Sequence, residues 1–145
     1  MEVRFFAKEE KELLLDSISK LWAENHIYVR KPEVLEHLTL HTPYRQEFCG
    51  EENYSFMGMW HENRVVGLYG LIPEKENILG QESLASTDTI WKIDSESGAN
   101  GFAFLQYIVE NNIGFSVTLG LSWMAMAIYK GVGWYTFNDL PRWVV

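Results

Sequence analysis

The spacing of apolar residues in the first part of the chain predicts a strand followed by two helices. Glu2–Phe6 alternates polar and apolar side chains, as a short half-buried strand does. From Lys8 a helix with one apolar face is predicted, because apolar residues recur at three- and four-residue intervals: Leu13, Leu14, Ile18, Leu21 and Trp22. The segment "NHIYVRKP" ends this helix, and Pro32 suits the first turn of a second one, where its missing N–H is not needed.

The later part of the chain alternates strand and helix patterns. Two apolar β-rich runs, Tyr54–Trp60 and Arg64–Ile72, flank the polar turn "HEN" and predict a hairpin, and the polar segment Pro73–Gly80 predicts a loop. The remaining elements are a strand at Leu84–Ile93, a helix reaching Glu110, a strand at Phe115–Leu121, a helix at Trp123–Lys130, and strands at Trp134–Phe137 and Arg142–Val145. This order, β-α-α-β-β-β-α-β-α-β-β, indicates one mixed α/β domain.

Composition narrows the class of protein. With 145 residues, 47% of them hydrophobic, the chain suits one globular domain with a full core. A formal charge of −8 argues against nucleic acid or an anionic membrane as partner. Cys49 is the only cysteine, which excludes an internal disulfide, and no signal-peptide or spanning pattern is present, so we expect a cytoplasmic protein.

Two motifs carry a resemblance to a known family. Ile93–Ala103 reads I-D-S-E-S-G-A-N-G-F-A and aligns without a gap to V-D-P-x-x-R-G-x-G-x-G/A, while Ser122–Trp134 reads S-W-M-A-M-A-I-Y-K-G-V-G-W and is similar to N-x-x-A-x-x-x-Y-x-x-x-G-F. Together with the element order and the run "NRVVGLYG", they resemble the GCN5-related N-acetyltransferase (GNAT) superfamily. The resemblance implies a single GNAT-like domain, with a mixed, mostly antiparallel sheet and helices on both faces.

The resemblance also implies a coenzyme site. In the family, backbone N–H groups of this loop and the following helix bind the pyrophosphate of acetyl-CoA or another acyl-CoA. The corresponding positions here are Ile93, Gly98, Ala99, Asn100, Gly101, Phe102, Ala103 and Ser122. Gly98 replaces the Arg or Gln of the pattern, and Asp94 and Glu96 add negative charge, so we expect weakened or lost coenzyme binding. No metal is expected.

The catalytic residues implied by the resemblance are Tyr129, as the acid that protonates the leaving thiolate, and Asp88, as the base in place of the family's usual Glu. Structural roles remain open for both: Tyr129 as a packed core residue and Asp88 as an outward strand residue. Gly98 and Gly101 equally suit a turn and a helix start. His37 and His41 have the spacing of a helical metal pair, but surface histidines are the simpler interpretation. Cys49 is expected to be inert.

Two functions follow as expectations. The first is an acyl-CoA-dependent N- or O-acyltransferase that transfers directly to a small amine or amino-sugar acceptor. The second is an inactive GNAT-like binding or scaffolding domain of a larger protein, with polysaccharide biosynthesis as one expected context. The apolar ending "RWVV" predicts that residues 1–145 belong to a longer chain, and a further domain or a homodimer is the expected protein partner.

Overall fold

One mixed sheet organises the molecule. The structure, a computed structural model, describes residues 1–97, 100–111, 113, 115–117, 123–131 and 133–135. The strands are β1 (Glu2–Ala7), β2 (Asn53–His61), β3 (Arg64–Ile78), β4 (Gln81–Ile93) and β5 (Phe115–Val117). They lie side by side in chain order, antiparallel except for the parallel pair β4 and β5. The predicted mixed, mostly antiparallel sheet is confirmed.

Helices cover both faces of this sheet, as predicted. They are α1 (Lys11–Leu21), α2 (Ile27–Arg30), α3 (Pro32–Thr39), α4 (Arg45–Cys49), α5 (Phe102–Glu110) and α6 (Trp123–Gly131). One apolar cluster joins β2 to α1 and α3, and a second joins it to α5 and α6. Phe56 and Met57 enter opposite clusters because successive side chains of a strand point to opposite faces.

An ion pair fixes the corner between β1 and α1. The Arg4 guanidinium donates to both carboxylate oxygens of Glu10, at 2.7 and 2.8 Å, and lies 3.9 Å from the centre of the Trp60 ring. The same carboxylate accepts a hydrogen bond from the Ala7 N–H at 2.8 Å. The bonds from Arg4 hold the pKa of Glu10 below its usual value, although burial opposes them.

The prediction of a loop at Pro73–Gly80 is wrong. β3 continues to Ile78 and pairs with β4 as far as Gln81, so the hairpin turn is only Leu79–Gly80, with φ of 52° and 86°. The Asn77 side chain accepts a hydrogen bond from the Gly80 N–H at 2.8 Å. The side chains of Lys75, Glu76 and Asn77 are exposed, which explains the polar sequence, and backbone hydrogen bonds to β4 hold this part of the strand.

Other differences concern short and terminal elements. α2 and α4 were not predicted, since four and five residues are too short to show a helical period. Of the predicted strand Trp134–Phe137, the described residues Trp134 and Tyr135 form neither helix nor strand. Its remainder, the end of the strand begun at Phe115, and Arg142–Val145 lie outside the described residues. Within the described ranges, every helix is too short or too polar to cross a membrane.

Candidate active site

The candidate site lies on β4, next to its described pairing with β5. In the described part of the chain these two strands pair from Ala85–Phe115 to Thr87–Val117. β4 then continues to Ile93, past the last described residue of β5. Asp88 directly follows Thr87, the last residue of β4 whose pairing with β5 is described.

A bulge in β4 directly follows Asp88. Leu71 pairs with Asp88 but Gly70 pairs with Ile90, so Thr89 is the extra residue of the β3–β4 ladder. A Cβ atom at Gly70 would overlap the Thr89 hydroxyl and the Phe56 ring, which leaves room only for glycine there. Bulges commonly re-aim a neighbouring side chain, and this one sets the direction of Asp88.

Asp88 meets two tyrosines from other elements. The Tyr129 hydroxyl, from α6, donates to Asp88 Oδ2 at 2.6 Å and lies 3.0 Å from the Tyr69 hydroxyl of β3. Asp88 is partly buried, whereas Tyr129 is 1% exposed and Tyr69 is fully buried. The arrangement therefore connects a partly buried carboxylate of β4 with two phenol groups in the core.

Aromatic rings enclose this chain of hydroxyls. The Tyr129 ring lies 5.4 Å from the Trp91 ring and 4.6 Å from the Trp134 ring, measured between centroids. Tyr69 also contacts Trp91, at 5.8 Å. Hydrogen bonds in so apolar a setting are stronger than in water, and the loss of a partner there is correspondingly costly.

The tyrosine of β3 is held in its protonated form. Burial raises the pKa of Tyr69 well above its usual value, and the nearby Asp88 charge, Tyr129 and the hydrogen bonds to both raise it further. The Tyr69 hydroxyl therefore keeps its proton throughout the physiological pH range and can donate a hydrogen bond.

The negative charge of the loop after β4 is partly compensated by Arg64, the first residue of β3. Asp94 Oδ1 accepts a hydrogen bond from the Glu96 N–H at 3.0 Å and so starts a short 3₁₀ turn at Ser95–Ser97. Asp94 Oδ2 accepts a bond from the Arg64 guanidinium at 3.1 Å. A phosphate at this loop would therefore meet an ion pair at Asp94 and an exposed carboxylate at Glu96.

The start of α5 already uses several of its own N–H groups. The Phe102 N–H donates to the side-chain oxygen of Asn100 at 3.1 Å, and the Ala103 N–H donates to the Asn100 carbonyl at 3.0 Å. The Phe104 N–H donates to the Gly101 carbonyl at 3.2 Å. An anion at this helix start would have to displace the Asn100 side chain to reach the Phe102 N–H.

Gly101 has a packing role in the fold. A Cβ atom at this position would lie 3.2 Å from the Trp91 indole and 3.3 Å from Ile93. Those distances are tighter than ordinary carbon contacts, so glycine lets the start of α5 lie against β4. The helix start remains accessible nevertheless, with Asn100 exposed and Phe102 40% exposed.

Comparison with solved structures places this geometry in a known fold. An acetyltransferase of Trypanosoma brucei is 14% identical, with 99% of both chains covered and a TM-score of 0.63. A GCN5-related N-acetyltransferase from Anabaena variabilis is 17% identical, with 91% of this chain and 31% of that chain covered and a TM-score of 0.57. The enzyme AAC(6')-Iy, in complex with the bisubstrate analogue CoA-S-monomethyl-acetylneamine, is 8% identical over 99% of this chain and 97% of its own, with a TM-score of 0.62.

The chain has the GNAT fold. At these identities the likeness shows the fold alone. No protein-family model matches the chain, and no curated protein matches it in sequence.

Within this GNAT fold, the residues predicted from the sequence fall into three groups. Asp88 and Tyr129 are brought into direct contact. At the C-terminal end of β4, Ile93 closes the strand, and Asn100, Gly101, Phe102 and Ala103 form the start of α5. Gly98, Ala99 and Ser122 lie outside the described residues.

The histidine pair and the cysteine have ordinary surroundings. α3 ends at Thr39, so His41 lies beyond the helix and shares no helical face with His37, and both are exposed. The Cys49 thiol contacts the carbonyl oxygens of Arg45 and Asn53, and burial raises its pKa to about 12. A thiol with so high a pKa is a poor nucleophile.

Sequence reasoning missed two residues of the site, Tyr69 and Arg64. A buried tyrosine needs a hydrogen-bond partner, so a tyrosine in the middle of the apolar run "NRVVGLYG" was a signal for the first. No local pattern indicated the second, because Arg64 and Asp94 are 30 residues apart and meet only through the pairing of β3 with β4.

Proposed function

We propose that this protein is an acyl-CoA-dependent N- or O-acyltransferase. The observation that carries the proposal is the 2.6 Å contact between Tyr129 and Asp88, next to the described β4–β5 pairing, in a chain with an acetyltransferase fold. A carboxylate and a phenol in contact provide a base and an acid at one point, which direct transfer requires.

Each group has one role in the proposed reaction. Asp88 accepts a proton from the attacking amine or hydroxyl while the new bond to the acyl carbon forms. Tyr129 gives its proton to the sulfur as the carbon–sulfur bond breaks, so no covalent intermediate with the protein is needed. The acyl-CoA is a substrate in this scheme, with its pyrophosphate at the segment from Ile93 to Ala103, where Asn100 competes for the Phe102 N–H.

A small amine, in particular an amino sugar, is the acceptor that we propose. Its support is the neighbour AAC(6')-Iy, whose bound analogue contains acetylneamine. The net charge of −8 also favours a cationic acceptor over an anionic one.

A GNAT-like binding domain without transferase activity is the second candidate. It is favoured by the burial of Tyr129, whose side chain is 1% exposed and lies between two tryptophan rings. The hydrogen bonds at the start of α5 also favour a binding domain. The N–H groups of Phe102, Ala103 and Phe104 already donate within the chain, so fewer donors remain for a phosphate.

An assay of acyl transfer distinguishes the acyltransferase from the inactive binding domain. Acetyl-CoA would be incubated with a panel of amines and amino sugars, and free thiol and acetylated product would be followed. We expect turnover with at least one acceptor and a loss of about 10²–10⁴-fold in kcat for both Asp88→Asn and Tyr129→Phe. Asp16→Asn, at an exposed aspartate paired with Lys20, is the matched control and should leave kcat unchanged. Acetyl-CoA binding without turnover of any acceptor would leave only the binding domain.

A further inference from the structure

We infer that Tyr69 is a positioning residue that joins Asp88 and Tyr129 into one ordered hydrogen-bond chain, so that the Tyr129 proton is released only after Asp88 has been protonated. The inference rests on the proposed function for its catalytic consequence. Its structural basis is independent of that function: Tyr129 lies 2.6 Å from Asp88 Oδ2 and 3.0 Å from the Tyr69 hydroxyl.

The direction of the chain follows from the number of protons. A phenol has one proton to donate, and an ionised carboxylate can only accept. While Asp88 is ionised, the Tyr129 hydroxyl must therefore be the donor in its hydrogen bond with Asp88. Of the two phenols, Tyr69 is then the one that still has a proton to donate, either to Tyr129 or directly to Asp88, so the chain begins at Tyr69 and ends at the carboxylate.

The surroundings of Tyr69 keep it a donor. It is fully buried, and its pKa is raised by burial, by the charge of Asp88 and by Tyr129. Cys49 and Tyr107 are the other titratable residues that pack against the same apolar cluster, from α4 and α5, and neither contributes to this shift. Whether its proton points to Tyr129 or to Asp88, Tyr69 stabilises the negative charge of the carboxylate.

This order has a consequence for acyl transfer. In the resting state the Tyr129 hydroxyl donates its proton in a hydrogen bond to the Asp88 carboxylate, so this proton is not available to a thiolate. When the acceptor nitrogen forms its bond to the acyl carbon, its proton passes to Asp88. Asp88 can then return a proton to the Tyr129 oxygen while Tyr129 gives its own proton to the departing sulfur. Both groups end in their starting states, and one proton has moved from nitrogen to sulfur.

A spectroscopic measurement tests the chain without any activity. The Tyr129 hydroxyl proton, in a short charge-assisted bond, should give a downfield proton resonance that exchanges slowly with water and is lost in Tyr129→Phe. In Tyr69→Phe this resonance should move upfield, because hydrogen bonds in a chain strengthen one another. Tyr54→Phe is the matched control: Tyr54 is 1% exposed but belongs to the other core cluster, so the resonance should not move.

Kinetics test the catalytic consequence. Tyr69→Phe should lower kcat by about tenfold in the otherwise unchanged protein, the effect of losing one hydrogen bond. It should cause no further loss in the Tyr129→Phe background, where the chain is already broken. Tyr54→Phe should leave kcat unchanged in both backgrounds.

The outcomes separate this inference from the proposed function. An absent resonance in the parent protein, or one that Tyr69→Phe and Tyr54→Phe leave equally unmoved, would overturn the ordered chain. If the resonance moves as expected but no acceptor is turned over, the proposed function fails and the chain stands. Should Tyr69→Phe not fold, Asp88→Asn replaces it, and a downfield resonance that persists in that variant overturns the inference.

Discussion

Replacing Asn100 by glycine tests whether the start of α5 is a blocked phosphate site. In the native protein the Asn100 side chain accepts the hydrogen bond of the Phe102 N–H at 3.1 Å, on the exposed side of the helix start. Glycine removes that acceptor and leaves the N–H pointing out of the helix. We therefore expect Asn100→Gly to bind acetyl-CoA more tightly than the native protein.

Three contributions set the size of this effect. Asn100 precedes the cap residue Gly101, and even at a cap the change from asparagine to glycine costs a helix only a few tenths of a kcal/mol, so folding should be nearly unchanged. A hydrogen bond from the freed N–H to a charged phosphate is worth about 1.5 kcal/mol, or roughly a tenfold lower Kd. Arg64 already compensates Asp94, so the main local charge opposing this gain is Glu96. For the native protein we expect a Kd between roughly micromolar and millimolar, or no measurable binding, which corresponds to at most about 8 kcal/mol.

Isothermal titration with acetyl-CoA measures the change directly. Asn111→Gly is the matched control, because the Asn111 side chain donates to the Tyr107 carbonyl at the other end of the same helix and cannot contact a ligand at its start. Weaker binding in Asn100→Gly but not in Asn111→Gly would refute the reasoning, since Asn100 would then hold the ligand instead of competing with it. Equal affinities in all three proteins would place the ligand elsewhere.

Three further perturbations test the charges and the thiol. Arg64→Gln should weaken acetyl-CoA binding by leaving the Asp94 charge uncompensated, and titration at two salt concentrations would show the difference shrinking as salt rises. Glu10→Gln should lower the free energy of unfolding at pH 7 by about 1 kcal/mol, a modest figure because water reaches the Arg4 pair. The lowered pKa of Glu10 means that this stabilisation is present above about pH 4.3 and is lost as the pH falls further, so urea unfolding at pH 7 and pH 3 should show the two proteins converging in acid. Because the pKa of Cys49 is about 12, its thiolate fraction at pH 8 is only about 10⁻⁴, and iodoacetamide should label the folded protein far more slowly than the urea-unfolded protein.

Local patterns in the sequence determined most of the fold. The apolar period of Leu13–Trp22, Pro32 at a helix start and the strand–turn–strand pattern around "HEN" each describe a few neighbouring residues, and each element was found where predicted. Likewise, a strand ends at Ile93 and a helix begins at Phe102, since a glycine followed by a helical period needs no distant contact to be recognised.

The elements that were missed obtain their stability from elsewhere in the chain. The polar half of β3 looks like a loop by itself and becomes a strand only because β4 supplies a backbone partner for every residue from Leu71 to Ile78. α4 is five residues long, and Phe48 ties it to a core cluster that a sequence window cannot contain.

The candidate site divides in the same way. The sequence indicated Tyr129 from its place in the second motif and Asp88 from its place on the predicted fourth strand. They are 41 residues apart, and their contact depends on the bulge at Thr89 and on the packing of α6. Tyr69 enters the chain from a third element, 60 residues from Tyr129. Periodicity and motifs report which groups a protein possesses. The pairing of β3 with β4 and the packing of α6 against them determine that Tyr69, Tyr129 and Asp88 are close enough to form hydrogen bonds.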